Sequence, residues 1–274
     1  MCCRTDIRSR ITSLRNSERR RRRYNVHSFY ASFAGELEKT WARRRTKGFL
    51  LLTVLLPAVS ALLLGYAQDR SAVIAGLGSN LPLILLNLYT FAVLPLFMMM
   101  TAADSFAGET AARTMKLLLV RPVTRAKVFA SKALAVAAFV AALLAALWVV
   151  STLAQGLAAG FGGASETLDD LKAYAAAWVP MMAIGSIAIF MAQWFRQSSG
   201  AMALIILLYA AAKLLPLAFP QLSVWSVFSY TDWHLLWIGS GAPAGKLANT
   251  FVLLAAYCIM AYTAGWILFE RKEH

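Results

Sequence analysis

The densest set of side chains capable of chemistry lies between the second and third apolar segments, in residues 104–132. This stretch carries six basic residues but only two acidic ones, Asp104 and Glu109. Loops rich in Lys and Arg stay on the cytoplasmic side of a membrane, so the charge pattern predicts a cytoplasmic loop. Its basic residues are Arg113, Lys116, Arg121, Arg125, Lys127 and Lys132.

The same loop has a pattern that predicts a short helix followed by a bend. Met115, Leu118 and Leu119 recur at the spacing of one helical face, and Lys116 points away from that face. Pro122 has no amide proton and disfavours helix at the residue before it. We therefore expect a short amphipathic helix, a corner at Pro122 and a second helix that begins directly after it.

These residues also form an ordered motif, in which an acidic residue precedes a Leu-rich run, an Arg-Pro-Val-Thr-Arg segment and a Lys. The motif resembles the permease subunits of ABC-2-type ABC transporters, in the branch of bacitracin permeases and drug exporters. Arg113 stands where that family usually has Gly, and Thr124 where Ser is common. The resemblance in span layout covers about residues 30–274. The matching residues are Glu109, Thr114, Leu117 to Leu119, Arg121, Pro122, Val123, Thr124, Arg125 and Lys132.

The resemblance implies a partner and a role for this loop. A separate ATP-binding subunit would dock on the cytoplasmic face, so that ATP and Mg²⁺ belong to the partner and this chain needs no cofactor. Glu109 would cap or pair near the start of the coupling helix, Leu118 and Leu119 would form its docking face, and Pro122 would set its angle. The implied coupling residues are Asp104, Glu109, Arg113, Leu118, Leu119, Arg121, Pro122, Arg125 and Lys132.

The composition places the chain in a bilayer. Apolar residues make up 59% of the 274 residues, only 15% are charged, and the mean hydropathy is +0.60. Soluble domains contain about 45–50% apolar and 25% charged residues. A net charge of +14 could indicate nucleic acid, but the basic residues cluster at the ends of apolar segments, so we expect a lipid partner and no nucleic acid.

Six segments are apolar and long enough to cross a bilayer, which takes about 20 residues per helix. They predict an all-α integral membrane protein. Of the 27 Lys and Arg residues, 23 fall on one side of this six-span arrangement. The excess predicts a multi-pass plasma-membrane protein with both termini in the cytoplasm. The predicted spans are residues 48–66, 81–103, 128–153, 174–194, 200–218 and 247–269.

The N-terminal region divides into two parts. Residues 1–28 are basic and poor in apolar side chains, which is typical of a disordered cytoplasmic tail. Residues 29–47 have Tyr30, Phe33 and Trp41 on one helical face. This pattern predicts an amphipathic helix that lies along the inner leaflet.

The stretch between the fifth and sixth spans, residues 219–246, is too polar to cross a membrane but rich in aromatic residues. Tyr and Trp favour the headgroup level, so the stretch predicts one or two short interfacial or re-entrant helices. An aromatic-rich surface loop fits the residues alone equally well. We expect His234 and the neighbouring Asp232 to form a solvated pair here rather than a proton site.

Enzymatic motifs are not evident. Residues 241–247 look like a phosphate-binding loop, but the spacing is one residue short and Leu247 replaces the required hydroxyl residue. The cysteines Cys2, Cys3 and Cys258 form no disulfide framework. The histidines His27, His234 and His274 lie in three separate regions without metal-ligand spacing, so we expect no metal site.

The predicted span interiors lack ionisable side chains, because Lys132 and Lys213 are near enough to span ends to snorkel. We therefore expect an external energy source and a pathway shared with a second permease, identical or different. The alternatives are a self-contained carrier or channel and a membrane-embedded enzyme or anchor. Candidate pathway residues are Asn87, Tyr89, Met98, Met99 and Met100, although helix packing explains each of them equally simply.

Overall fold

The computed structural model describes residues 29–67, 80–111, 124–159, 164–218, 221, 226–238 and 243–271. Within these ranges all regular secondary structure is helical. The long helices are α1 (29–42), α2 (Arg44–Ala67), α3 (Leu81–Ala111), α4 (Arg125–Ala159), α5 (Ala164–Ala192), α6 (Ser198–Ala218) and α7 (Ala244–Arg271). Two short 3₁₀ segments, Val227–Tyr230 and Trp233–Trp237, lie between α6 and α7.

The six-span prediction is confirmed in its coarse form, because α2 to α7 are each long and apolar enough to cross a membrane. The ends of the helices differ from the prediction. In particular, α3 continues past residue 103 to Ala111. Asp104 and Glu109 therefore lie on the helix itself rather than in the loop after it. Residues 112–123, the central part of the predicted coupling segment, lie outside the described residues.

Helices α3 and α5 form the centre of the bundle. About half of the most apolar window is buried in each, 50% in α3 and 56% in α5, against 11–17% in α2, α6 and α7. Helix α5 packs against α3, α4, α7 and the second 3₁₀ segment, whereas α2 packs mainly along α4. The outer helices expose large apolar side chains such as Leu55, Leu207 and Val252. Lipid, rather than water, suits such a surface.

Close helix contact in the core depends on small residues. A Cβ atom built on Gly185 of α5 would lie 2.2 Å from the terminal methyl carbon of Met98 on α3. Met98 and Met99 are each only 1% exposed. Membrane helices pack by such van der Waals contact, because lipid supplies no hydrophobic force between them.

Helix α3 contains two π-helical segments, Tyr89–Val93 and Ala103–Gly108. The first lies just before Pro95, which has no amide proton to donate to the carbonyl of Phe91 four residues earlier. The hydroxyl of Tyr209 on α6 donates to that carbonyl instead. Segments of this kind are frequent at functional sites, and polar side chains gather at both of them.

Candidate functional site

The first polar site joins α1, α3 and α4 through four charged side chains: Glu36, Lys39, Glu109 and Lys132. The Lys132 ammonium lies 3.0 Å from the Glu36 carboxylate and 2.7 Å from the Glu109 carboxylate. The Lys39 ammonium lies 2.9 Å from Glu36 and 3.6 Å from Glu109. Two positive and two negative charges therefore alternate. We refer to these four residues as the Lys132 cluster.

Lys132 does not snorkel, contrary to the expectation from its position near a span end. Its side chain is 0% exposed, so its charge has to be neutralised inside the protein. Burial alone would raise the pKa of Glu36, but the charges and hydrogen bonds of Lys132 and Lys39 outweigh burial and lower that pKa. Glu36 thus supplies a negative charge of the kind that a buried ammonium requires.

The fold of α1 explains how Glu36 reaches this cluster. Glu36 and Thr40 lie four residues apart on one face and are 6% and 5% exposed, and the Thr40 hydroxyl donates to the Glu36 carbonyl. Tyr30 and Trp41 lie on the outer side, 71% and 59% exposed. The polar face of α1 therefore packs on the protein, and Tyr30 and Trp41 face outward.

A second charged contact lies one and a half turns earlier on α3, in the Ala103–Gly108 segment. A guanidinium nitrogen of Arg45 lies 3.3 Å from the Asp104 carboxylate, and one of Arg43 lies 3.8 Å from it. The Ser198 hydroxyl at the start of α6 donates to the same carboxylate. Asp104 therefore connects α2, α3 and α6 next to the Lys132 cluster.

The predicted coupling residues separate into two groups. Asp104, Glu109, Arg125 and Lys132 are described, and they lie at the ends of the helices that flank residues 112–123. The Arg125 guanidinium donates to the Glu270 carbonyl at 3.0 Å and so ties the start of α4 to the end of α7. Outside the described residues lie Arg113, Leu118, Leu119, Arg121 and Pro122.

Glu109 lies in the last described residues of α3 and is 9% exposed. We expected it to cap or pair near the start of the coupling helix, and because residues 112–123 lie outside the described residues, its place relative to that helix stays a prediction. Helix α3 continues because Thr110 and its neighbours are compatible with helix, and the Thr110 hydroxyl donates back to the Phe106 carbonyl. The carboxylate then faces Lys132 on α4.

Glu36 and Lys39 are the residues that sequence reasoning missed. Both were assigned to the polar face of an interfacial helix, where charges normally face water. One signal was present: a Lys within an apolar segment requires an anion nearby. Nothing in the sequence, however, indicated which of the acidic residues would meet it, since Glu36 and Lys132 are 96 positions apart.

The second polar site lies at the opposite end of α3, around His234. One ring nitrogen of His234 lies 2.9 Å from the Asn87 side-chain oxygen, and the other lies 3.2 Å from the Thr231 carbonyl oxygen. The Lys213 ammonium donates to the Thr231 hydroxyl and lies 4.9 Å from the centre of the Phe91 ring. We refer to these five residues as the His234 cluster.

The expectation of a solvated His234–Asp232 pair is wrong, because His234 is 0% exposed. Burial lowers its pKa, and the Thr231 carbonyl and the Asp232 charge oppose that effect only in part. Lys213 also differs from the prediction, since its ammonium binds Thr231 and the Phe91 ring rather than simply extending outward. The aromatic stretch between α6 and α7 is thus anchored to α3 and α6 by buried polar contacts.

The candidate pathway residues lie inside the single chain. Tyr89, Met98 and Met99 are each 1% exposed, Met100 is partly buried and Asn87 contacts His234. All five take part in packing or in the His234 cluster. Their role in a pathway stays a prediction.

The comparisons with known proteins identify a family but no function. No curated protein matches the sequence. One family model, described as "Protein of unknown function (DUF2705)", matches residues 46–274, which include all six apolar helices except the first two residues of α2. The chain therefore belongs to the DUF2705 family.

Proposed function

We propose that this chain is the transmembrane subunit of an ATP-driven ABC exporter that is powered by a separate ATP-binding subunit. The observation that carries the proposal is the Lys132 cluster. It joins the end of α3 to the start of α4, the two helices that flank residues 112–123, and it adds α1 to them. Residues 112–123 contain the Leu-rich run and the start of the Arg-Pro-Val-Thr-Arg segment of the motif that resembles ABC-2-type permeases, and Glu109 and Lys132 are its first and last residues.

The Lys132 cluster is suited to transmit a movement that a partner imposes on residues 112–123. Separating buried opposite charges is costly, because each would be left without a partner in a medium of low dielectric constant. Helices α1, α3 and α4 should consequently move together when residues 112–123 are pushed. Asp104 and Arg125 extend the connection to α6 and α7 through Ser198 and the Glu270 carbonyl.

In this proposal the chain itself hydrolyses no ATP. Two permease copies, identical or different, would enclose the pathway, with both termini in the cytoplasm and the six helices in the plasma membrane. The resemblance to bacitracin permeases and drug exporters favours a hydrophobic drug or a peptide antibiotic as substrate. Glu109 and Lys132 would hold the coupling segment in place, and Leu118 and Leu119 would contact the ATP-binding subunit.

A self-contained secondary transporter is the second candidate, and the buried charges are the observation that favours it. Intramembrane ionisable residues often mark proton or ion pathways. The balance of charge in the Lys132 cluster argues against it, however. Each carboxylate already has an ammonium partner within 3.0 Å. A carrier instead needs a group that gains and loses a proton at a small cost in free energy.

Co-purification with any ATP-binding subunit that is encoded beside this chain tests the proposal. The two proteins should form a stable complex, and a hydrophobic substrate should stimulate ATP hydrolysis by the complex in proteoliposomes but not by either protein alone. Transport driven by a proton gradient without the ATP-binding subunit would instead support the second candidate. Absence of both a complex and stimulation would contradict the proposal.

A further inference from the structure

The junction between α1 and α2 carries a group of exposed cations. Arg44, Arg45 and Lys47 are exposed, Arg45 to 55%, at the beginning of a helix long enough to span a membrane. Trp41, at the end of α1, is 59% exposed. We call these four residues the hinge surface.

Helix geometry turns these side chains outward. The helix is interrupted at Arg43, and α2 begins at Arg44. Thr46 and Thr53 on α2 are each 1% exposed, so they define the face of α2 that packs on the protein. Arg44, Arg45 and Lys47 flank Thr46 in sequence and lie off that inward face.

The positive charge at the hinge surface is largely uncompensated. Among the described residues Arg44 and Lys47 make no ion pair, and Asp104 is the carboxylate that Arg45 and Arg43 share. The Arg45–Asp104 contact uses one guanidinium nitrogen, at 3.3 and 3.5 Å from the two oxygens. Such long, exposed ion pairs hold a guanidinium only weakly, so Arg45 can also bind another anion.

We propose that the hinge surface binds the headgroup phosphate of an anionic phospholipid. Guanidinium groups match the oxygens of a phosphate, and Trp side chains favour the headgroup level of a bilayer. Apolar Leu51 and Leu52, 63% and 39% exposed, follow on α2 and offer a surface for the acyl chains. A lipid, unlike free phosphate, uses both parts of this surface.

The lipid binding does not depend on the transport function proposed above. Its chemistry predicts selectivity for anionic over zwitterionic headgroups, because only the former bring a net negative charge to the three cations. Each juxtamembrane Lys or Arg raises the affinity for an anionic membrane surface by about five-fold. We expect at least that preference for phosphatidylglycerol over phosphatidylcholine at the hinge surface, with a decrease at high salt.

The test measures which lipid lies next to the hinge. In a variant with serine at Cys2, Cys3 and Cys258, an Ala42→Cys substitution places a fluorophore at an exposed position beside Trp41. The protein is reconstituted in vesicles that contain brominated phosphatidylglycerol or brominated phosphatidylcholine. The apparent affinity obtained from quenching should be at least about five-fold higher for the brominated anionic lipid than for the brominated zwitterionic one.

Two triple variants with the same change of charge make the result specific. Arg44→Gln, Arg45→Gln and Lys47→Gln together should abolish the preference. Lys127→Gln, Arg196→Gln and Arg271→Gln, which remove three cations from the same predicted side of the membrane, should leave it intact. A preference close to one in the parent protein, or equal loss in both triple variants, would overturn the proposal. Displacement of the brominated lipid by inorganic phosphate would also overturn it, because it would indicate a site for free phosphate.

Discussion

Lys132 on α4 and Glu109 on α3 form an ion pair of 2.7 Å in which the lysine side chain is fully buried. The two residues are the first and the last of the segment that matches the ABC-2-type permease motif. A pair in this position holds the two ends of that segment together. Removing either charge leaves the other with one counter-ion of the cluster, because Lys132 keeps Glu36 at 3.0 Å and Glu109 keeps Lys39 at 3.6 Å.

Lys132→Met should strongly destabilise the protein. The substitution leaves the buried Glu36 and Glu109 with the partly exposed Lys39 as their remaining ammonium, and breaking a buried pair on one side costs up to about 3–5 kcal/mol. Thermal unfolding in detergent, followed by circular dichroism, measures the effect. Lys172→Met is the matched control, because Lys172 is 61% exposed and its ion pair within the described part of the chain is with the exposed Asp169, and such surface pairs contribute about 0–1 kcal/mol.

A double substitution distinguishes stability lost through an unpaired charge from stability lost through altered packing. Lys132→Met combined with Glu109→Gln removes one positive and one negative charge and leaves the Glu36–Lys39 pair in place. It should recover a part of the lost stability. Equal stability of Lys132→Met and Lys172→Met would contradict the buried ion pair.

Three substitutions in and beside the coupling segment should uncouple transport from ATP hydrolysis. Glu109→Ala removes a partner of Lys132, Leu118→Asp places a charge on the predicted docking face, and Pro122→Ala removes the predicted bend. Each variant should still insert in the membrane, but bind its ATP-binding subunit poorly or hydrolyse ATP without export. If a triple variant bound the subunit and exported at the normal rate, the loop would serve topology alone. Arg121→Lys is a control that retains the charge.

Acid should destabilise the folded protein through His234, because burial disfavours the charged imidazolium. Burial lowers the pKa of His234 below its ordinary value of 6.5, so the unfolded chain binds a proton at a higher pH than the folded protein. Stability should therefore decrease as the pH falls through about 6.5 towards the folded-state pKa, and level off below it. The charged groups around this site are Asp232 on the same segment and Lys213 on α6, which both contact Thr231, and Asn87 on α3 is neutral.

Unfolding midpoints at about pH 7.5 and about pH 5.5 measure this dependence. The His234→Leu variant should lack this part of the pH dependence. The control variant His274→Gln should retain it. An identical pH dependence in the His234→Leu variant and the parent would show that another group is responsible.

Cysteine labelling tests the orientation. In the variant without native cysteines, Ser79→Cys and Ser240→Cys should react with an impermeant reagent added to intact cells, and Ser199→Cys should not. The basis is the excess of basic residues on the other side of the six spans. The reverse pattern would contradict the predicted position of the termini.

The six helices could be predicted from the sequence because each depends on local composition. A run of about 20 apolar residues has one favourable environment, a bilayer, and its backbone groups are satisfied there only as a helix. The predicted ends of the helices were less accurate. Helix α3 extends past its apolar run because Asp104 and Glu109 find partners on other helices, and no local pattern records those partners.

Only the tertiary structure decided which polar residues meet. Glu36 and Lys132 are 96 positions apart, and Asn87 and His234 are 147 apart. A charge or a buried histidine in an apolar segment requires a partner, and that requirement is readable from the sequence. The identity of the partner depends on which helices pack side by side and on how each is rotated about its axis, and those are properties of the whole bundle.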